Sequence, residues 1–334
     1  MEYRELGRTG VKVSSLCLGA MNFGGRTNAE DGYEIIDKAI DLGLNFIDTA
    51  NVYNLGGSET VVGDALQRNG RRNRMVIATK VHGVIDADDP NGFGQSRRHI
   101  IMQCEASLRR LKTDWIDLYQ VHRADTSIAP DEMLRAMDDL VRAGKVRYIA
   151  TSNYAAWQMM ESVMVSRELG LNRVVCTQPP YNLLDRRIER ELVPMCQTYG
   201  IGIIPWSPLA GGTLTGRYRR ESTPEDARFA NAKGTRFERF VNDRMYDVIE
   251  DLEALCAEKG VPVSQLALKW VHDRTGVTSA IIGPRTMEQF DDNVAALDVE
   301  LTEDDLRRID AIAPPGDYTV PYYDSDFGPH RHRV

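Results

Sequence analysis

The chain has 334 residues, 42% of them hydrophobic, and carries 27 glycines and a net charge of −8. That length supports one large core or two ordinary domains, and the acidic balance argues against a general nucleic-acid binder, which needs clustered Lys and Arg for phosphate. The five cysteines (Cys17, Cys104, Cys176, Cys196, Cys256) form no C-x-x-C, the opening MEYRELGRTG has no apolar signal core, and no run nears the roughly 18 apolar residues of a membrane helix, so a cytoplasmic setting with reduced thiols and no membrane partner is expected.

Along the chain, the first 15 residues hold strand-like flanks around Gly7-Arg-Thr-Gly10, which predicts a hairpin. Short apolar runs then recur at 15–19, 45–48, 75–80, 116–122, 146–153, 174–178, 201–207 and 279–283. Between them lie stretches of helical period. After the first strand, Ile36, Ala39, Ile40 and Gly43 follow the i, i+3, i+4, i+7 rule. After the fourth, PDEMLRAMDDLVRAGK opens on Pro130 and acids and closes on Gly144 and Lys145. The segment from Gly211 to about Val241 is too long for an ordinary connection, and it mixes Arg217, Arg219, Arg220, Arg228 and Arg236 with acids. An eighth helix is expected near 286–297, and LTEDDLRRIDAIA, with a Thr302 cap, predicts one more. Eight strands alternating with helices predict a (β/α)8 barrel, one domain over 1–334, with an N-terminal hairpin and an extra C-terminal helix. The rival doubly wound sheet lacks a G-x-G-x-x-G after its first strand.

In such a barrel the reactive groups gather at the C-terminal ends of the strands. Those ends present Asp48, Lys80 and His122, with Tyr53 on the loop just past Asp48. Each has a bland reading on its own: a surface lysine, a satisfied core histidine, a packed tyrosine. Together they are complementary. An ammonium stabilises a phenolate, so Lys80 would make Tyr53 a better acid than its usual pKa of about 10 implies. Asp48 would offset the buried charge of Lys80, and His122 is able to position a substrate oxygen. This equipment moves a proton to or from an oxygen and needs neither nucleophile nor metal. The near P-loop GGTLTGRY has Arg-Tyr where Lys-Ser/Thr would hold phosphate and magnesium, which rejects that reading. The only His pair, His330 and His332, sits in a terminal tail.

The segments NFIDTANVY, MVIATK, LYQVHRAD, YIATSN and IIPWSPLAGG are similar, in order and over almost the whole chain, to those of the aldo-keto reductase family. The resemblance implies NADPH-dependent reduction of aldehydes and ketones, with Asp48, Tyr53, Lys80 and His122 as the catalytic tetrad and Tyr53 protonating the carbonyl oxygen. It implies that Ser152, Asn153 and Gln178 bond the nicotinamide carboxamide and that Trp206 stacks on its ring. Ser207, Leu209, Gly211 and Arg217 would lie along the pyrophosphate, and Gly283 and Arg285 would take phosphate, with Arg285 on the 2′-phosphate. Gln289, Asp292 and Asn293 would lie toward the adenine, and Met21 and Asp48 complete the cofactor contacts. Met21, Asn22, Phe23, Val52 and His82 are the expected walls of a small-molecule carbonyl pocket, which VPYYDSDF (320–327) would fold over. PWSPLAGG looks most like the branch with potassium-channel β subunits and bacterial reductases, so a cofactor-loaded regulatory subunit is the rival; those subunits carry Asn where this chain has His122. A deoxysugar ketoreductase is a further alternative, and a homo-oligomer is left open.

Overall fold

The computed structural model of the chain describes residues 1–220, 222, 227–235 and 237–325, so Arg236, His330, His332 and the end of the 320–327 stretch lie outside it. β1 (Tyr3–Glu5) pairs antiparallel with β2 (Lys12–Ser14), giving the expected hairpin. Its turn presses on the barrel floor: at Gly7, φ is +59° and an added Cβ would meet the Val175 carbonyl oxygen at 2.6 Å, so only glycine fits.

The eight expected barrel strands are all present as β3 (Leu16–Gly19), β4 (Phe46–Asp48), β5 (Val76–Val81), β6 (Ile116–Val121), β7 (Val146–Ser152), β8 (Val174–Gln178), β9 (Gly202–Ile203) and β10 (Ala280–Ile282). They form one parallel sheet in the order β10-β3-β4-β5-β6-β7-β8-β9. Thr278 N–H to Ile203 O (2.7 Å) and Ile281 N–H to Pro205 O (3.0 Å) join its two ends. Seven of the strands keep their expected bounds within one residue, but the expected 201–207 shrinks to Gly202–Ile203. Pro205 has no N–H to donate, so regular pairing stops there. Isolated bonds continue it, from Ile204 N to Thr177 O (3.0 Å), from Trp206 N to Pro179 O (2.9 Å) and from Tyr181 N to Trp206 O (3.3 Å).

Around the sheet lie α1 (Ala29–Asp41), α2 (Gly57–Asn69), α3 (Arg97–Leu111), α4 (Pro130–Arg142), α5 (Ala156–Leu169), α6 (Leu192–Tyr199), α7 (Asp243–Lys259), α8 (Val263–His272), α9 (Met287–Ala295) and the extra α10 (Glu303–Ile312). The α10 cap is reciprocal: Asp305 N–H donates to Thr302 Oγ1, and the Asp305 carboxylate accepts from Thr302 N–H. No described helix is long and apolar enough to cross a membrane.

Strand alternation sorts the side chains. Leu16, Leu18, Ile47, Ile77, Tyr119 and Ile149 face the helices in the outer core. Cys17, Phe46, Ala78, Leu118, Ala150, Cys176, Ile204 and Ile281 fill the barrel, with Leu6 and Val13 of the hairpin joining them. Two residues further along, the same inward line carries Gly19, Asp48, Lys80, Gln120, Ser152 and Gln178. An apolar layer thus underlies a polar one, and the polar layer lies at the C-terminal mouth.

The long connection after β9 has a small core of its own. Phe229 and Phe240 stack at 6.0 Å between centroids, with Tyr218 and Phe237 beside them. Arg219 pairs with Glu253, and Arg220 pairs with Asp243, Asp247 and Glu250, so both arginines staple the loop to α7. The C-terminal stretch, as far as residue 325, runs along the connection after β8: Thr319 N–H bonds Leu184 O (2.9 Å), and the Arg187 guanidinium lies 5.7 Å from the Tyr318 ring centroid.

Burial pushes every thiol up: Cys104 and Cys196 to about 12, Cys256 to about 11, and Cys17 and Cys176 well above the usual range. The native protein is therefore expected to show no thiol reactive toward a chromogenic disulfide reagent at neutral pH, and all five after unfolding in urea. A thiol that titrates in the native state would contradict this packing.

Candidate active site

Asp48 ends β4 and Lys80 lies one strand over on β5, 3% and 0% exposed. The Lys80 ammonium has three protons, and each finds an acceptor: Asp48 Oδ1 at 2.5 Å, Thr49 O at 2.9 Å and the Tyr53 hydroxyl at 3.3 Å. The second carboxylate oxygen of Asp48 accepts from Gln120 Nε2 and Gln178 Nε2, both at 2.8 Å, and Gln178 also donates to Gln120 Oε1 at 3.2 Å. A charge pair this deep is costly unless its remaining lone pairs are satisfied. Here they are.

Tyr53 opens a 3₁₀ turn, Tyr53–Gly56, that leaves the mouth of β4. Its next three residues are left-handed: Asn54 at φ +50°, Leu55 at +54° and Gly56 at +91°. The Asn54 amide fastens the turn to the loop after β3, donating to Met21 O at 3.0 Å and Phe23 O at 2.8 Å. The Tyr53 hydroxyl stands 3.5 Å from His122 Nε2, the two rings meeting edge to face at 5.6 Å between centroids. His122 follows β6 directly; its N–H bonds Val81 O at 2.9 Å, and its carbonyl accepts from the Asn153 amide at 2.9 Å.

Burial raises the Tyr53 pKa, and it outweighs the lowering by Lys80. The expectation of a simply more acidic tyrosine therefore needs correcting: the ammonium acts in the expected direction, but desolvation of the phenolate is larger. Burial opposes the charge of Lys80, yet Asp48 and then Tyr53 carry its pKa above the usual lysine value. Burial, followed by the Lys80 charge, drives His122 well below the usual histidine value. At neutral pH the site holds a phenol, an ammonium and a neutral imidazole.

The structure brings the four tetrad candidates together, and the expected cofactor residues from Ser152 onward lie on the ends of β7 and β8 and on the segments that follow β7, β9 and β10. Ser152 and Gln178 end β7 and β8; Ser152 Oγ donates to Gln178 O at 2.8 Å, and Asn153, at φ +58°, donates to Ser152 Oγ at 3.1 Å. The half-buried Trp206 indole donates to Asn153 Oδ1 at 3.1 Å. Ser207, also left-handed at φ +59°, accepts from Gly211 N–H on its side chain at 3.1 Å, and Leu209 O accepts from Gly212 N–H at 2.8 Å. Arg217 is exposed. Past β10, Gly283 is exposed, Arg285 N–H donates to Gln289 Oε1 at 2.9 Å, and Asn293 is buried. The Asp292 carboxylate binds Ser264 Oγ and Gln265 Nε2 of α8, at 2.9 and 2.8 Å.

Phe23 is not a pocket wall: it is fully buried in the outer core, against Gly32. The sequence reading also missed Gln120, which together with Gln178 closes the network on Asp48. Its signal was available, since it stands two residues past Leu118 on an inward-facing line. Thr49 and Asn54 gave no such signal, because their contacts run to another loop or through a backbone carbonyl. No cluster of His, Cys, Asp or Glu among the described residues is arranged to hold a metal.

The profile described as "Aldo/keto reductase family" matches residues 15–314. The chain is 39% identical to an uncharacterised oxidoreductase, YrpG, of Bacillus subtilis, over 97% of this chain and 99% of that protein. It is 36% identical to a probable voltage-gated potassium channel subunit beta of Oryza sativa, over 93% and 96% of the two chains. Versiconal hemiacetal acetate reductase of Aspergillus parasiticus is 33% identical, again over 93% and 96%.

Lys80→Met is expected to destabilise the fold by about 3–5 kcal/mol, because it strands a buried carboxylate. The double variant with Asp48→Asn should lose markedly less than the sum of the two single changes, measured by urea unfolding. Additive losses would show that the two groups are not energetically coupled.

Proposed function

The chain belongs to the aldo/keto reductase family, and on that premise we propose that it is an oxidoreductase that reduces an aldehyde or ketone to the alcohol, with NADPH as its cofactor. The observation that carries this reading is the Tyr53 hydroxyl, held 3.3 Å from a fully buried ammonium and 3.5 Å from a neutral imidazole at the C-terminal mouth. When bound, NADPH supplies the hydride that the carbonyl carbon receives.

The chain's own residues do the rest. The substrate oxygen would sit between Tyr53 and His122, where a neutral imidazole in its Nε2–H tautomer donates a hydrogen bond and fixes the carbonyl direction. As negative charge develops on that oxygen, Tyr53 gives it the phenol proton and becomes a phenolate. Lys80 stabilises the phenolate, and Asp48, Gln120 and Gln178 hold Lys80 in place without competing for Tyr53. Solvent then returns the proton to Tyr53. Its raised pKa suits this direction, since the phenol keeps its proton until the reaction calls for it.

The residues around the mouth fit a dinucleotide. The Gln178 amide nitrogen already donates to Asp48 and Gln120, which leaves its Oε1 to accept from a carboxamide, with Ser152 and Asn153 beside it, and the Trp206 ring would cover the nicotinamide. Ser207, Leu209, Gly211 and Arg217 would follow the pyrophosphate. Open space supports this: an added Cβ at Gly212 or Gly283 would meet nothing within 4 Å, so a ligand is able to approach the backbone closely at both. Gly283 and the start of α9 would take the adenosine end, Arg285 the 2′-phosphate, with Gln289 and Asn293 beside it and Asp292 contributing from its α8 contacts.

Tyr53→Phe is expected to lower kcat at least about 10²-fold while cofactor binding persists. In the wild type, kcat/KM for reduction should stay flat between about pH 6 and 8 and fall only at strongly alkaline pH, because Tyr53 titrates above its usual value and His122 well below. Stopped-flow reduction at the wild-type rate in Tyr53→Phe would remove Tyr53 from the chemistry.

Arg285→Ala tests the cofactor reading separately. A charge-assisted bond to phosphate is worth about 1.5–3 kcal/mol, so the NADPH dissociation constant should rise roughly 10- to 150-fold and that of NADH little, at fixed salt. Equal weakening of both cofactors would make Arg285 a support for its loop and nothing more.

A further inference from the structure

Leu55, two residues past Tyr53, is 84% exposed and lies at φ +54°, ψ +38°, a region that branched side chains avoid. Asn54 holds the turn there through its two bonds to the β3 loop. A large apolar side chain that is both strained and in water gains nothing from the fold itself, which points to a ligand.

The neighbouring connections present side chains of the same kind. Met21 is 41% exposed after β3, and Val84 and Phe93 are 54% and 50% exposed after β5. Contacts draw them toward Tyr53. The Met21 carbonyl accepts from Asn54, the residue next to Tyr53. A Cβ on Gly83 would meet Val52 Cγ1 at 2.2 Å, so Val84 follows directly on the residue packed beside Tyr53's neighbour. Gly94 N–H bonds His82 O at 2.7 Å and returns Phe93 to the same mouth. Three adjacent strands, β3, β4 and β5, thus each send an exposed apolar side chain to the end of the barrel where Tyr53 stands. The β5 connection also carries exposed carboxylates at Asp86 and Asp88. These repel anions.

We propose that Leu55, Met21, Val84 and Phe93 form a rim that binds the bulky apolar part, aromatic or long-chain, of an uncharged carbonyl substrate. A carboxylated carbonyl compound would meet unfavourable charge at Asp86 and Asp88, and a short polyol would leave the four apolar side chains uncovered. The inference rests on the reading of Tyr53 as the acid of a carbonyl reductase.

The test follows NADPH consumption by the purified protein with 2-naphthaldehyde, decanal, propanal and glyceraldehyde. The first two should be preferred in kcat/KM by at least about tenfold, since each buried methylene contributes severalfold in binding. Leu55→Asn keeps a side chain that tolerates the left-handed turn, and Phe93→Ala probes a second loop. Each should raise KM for naphthaldehyde and decanal roughly 3- to 10-fold, the scale of uncovering part of one side chain, with kcat and propanal kinetics nearly unchanged. Equal use of all four aldehydes, or equal losses on propanal and decanal, overturns the rim while leaving the reductase reading intact. If no carbonyl is reduced, the reductase reading fails and the rim falls with it. If the variants instead convert a dimer to a monomer in size-exclusion chromatography without changing KM, the apolar arc is a contact between copies, which also overturns the proposal.

Discussion

The rest of the site depends on one buried charge. A lysine with no exposed surface is unfavourable in a barrel interior unless each of its protons is accepted, and Lys80 meets that condition with a carboxylate, a carbonyl and a phenol. The carboxylate in turn needs donors on its far oxygen, and two glutamine amides from β6 and β8 supply them. Four strands are therefore tied to a single ammonium. Because Asp48 and the Thr49 carbonyl take two of its three protons, the third is directed at Tyr53.

The barrel makes that arrangement affordable by separating two layers. Below, the apolar inward residues and the hairpin's Leu6 and Val13 close off the interior. Above them, the next inward residue of each strand from β3 to β8 is polar or glycine, so the polar groups meet each other at the mouth. A one-residue slip of β5 would turn Lys80 toward the helices, where Thr79 now bonds the buried Glu59 at 2.5 Å. Register, set by apolar packing far from the chemistry, is thus what aims the ammonium.

The connections divide into those that brace themselves and those that are held by others. The long segment after β9 packs its own phenylalanines and anchors two arginines on α7, which is how a connection of that length keeps a shape. The Tyr53 turn has too few residues for a core and relies on Asn54 instead. Its anchor, the loop after β3, is itself bonded to the β10 connection, from Asn22 to Gly283 O at 3.2 Å and from Thr27 to Arg285 O at 2.9 Å.

The sequence by itself determined the order of elements, seven of the eight strand bounds to within one residue, and three polar residues at strand ends with Tyr53 on the loop beside them, because alternation, period and end signals are local properties of the chain. It also carried the mark of Gln120, unread, in the spacing from Leu118. Only the tertiary structure decided the sign of the Tyr53 shift, since burial and the Lys80 charge act in opposite directions and their balance depends on depth. It alone put Phe23 in the core and Leu55 in water, although both are apolar residues in loops beside the mouth. Side-chain exposure in a loop depends on which other loop lies against it, and no periodicity along the chain encodes that contact.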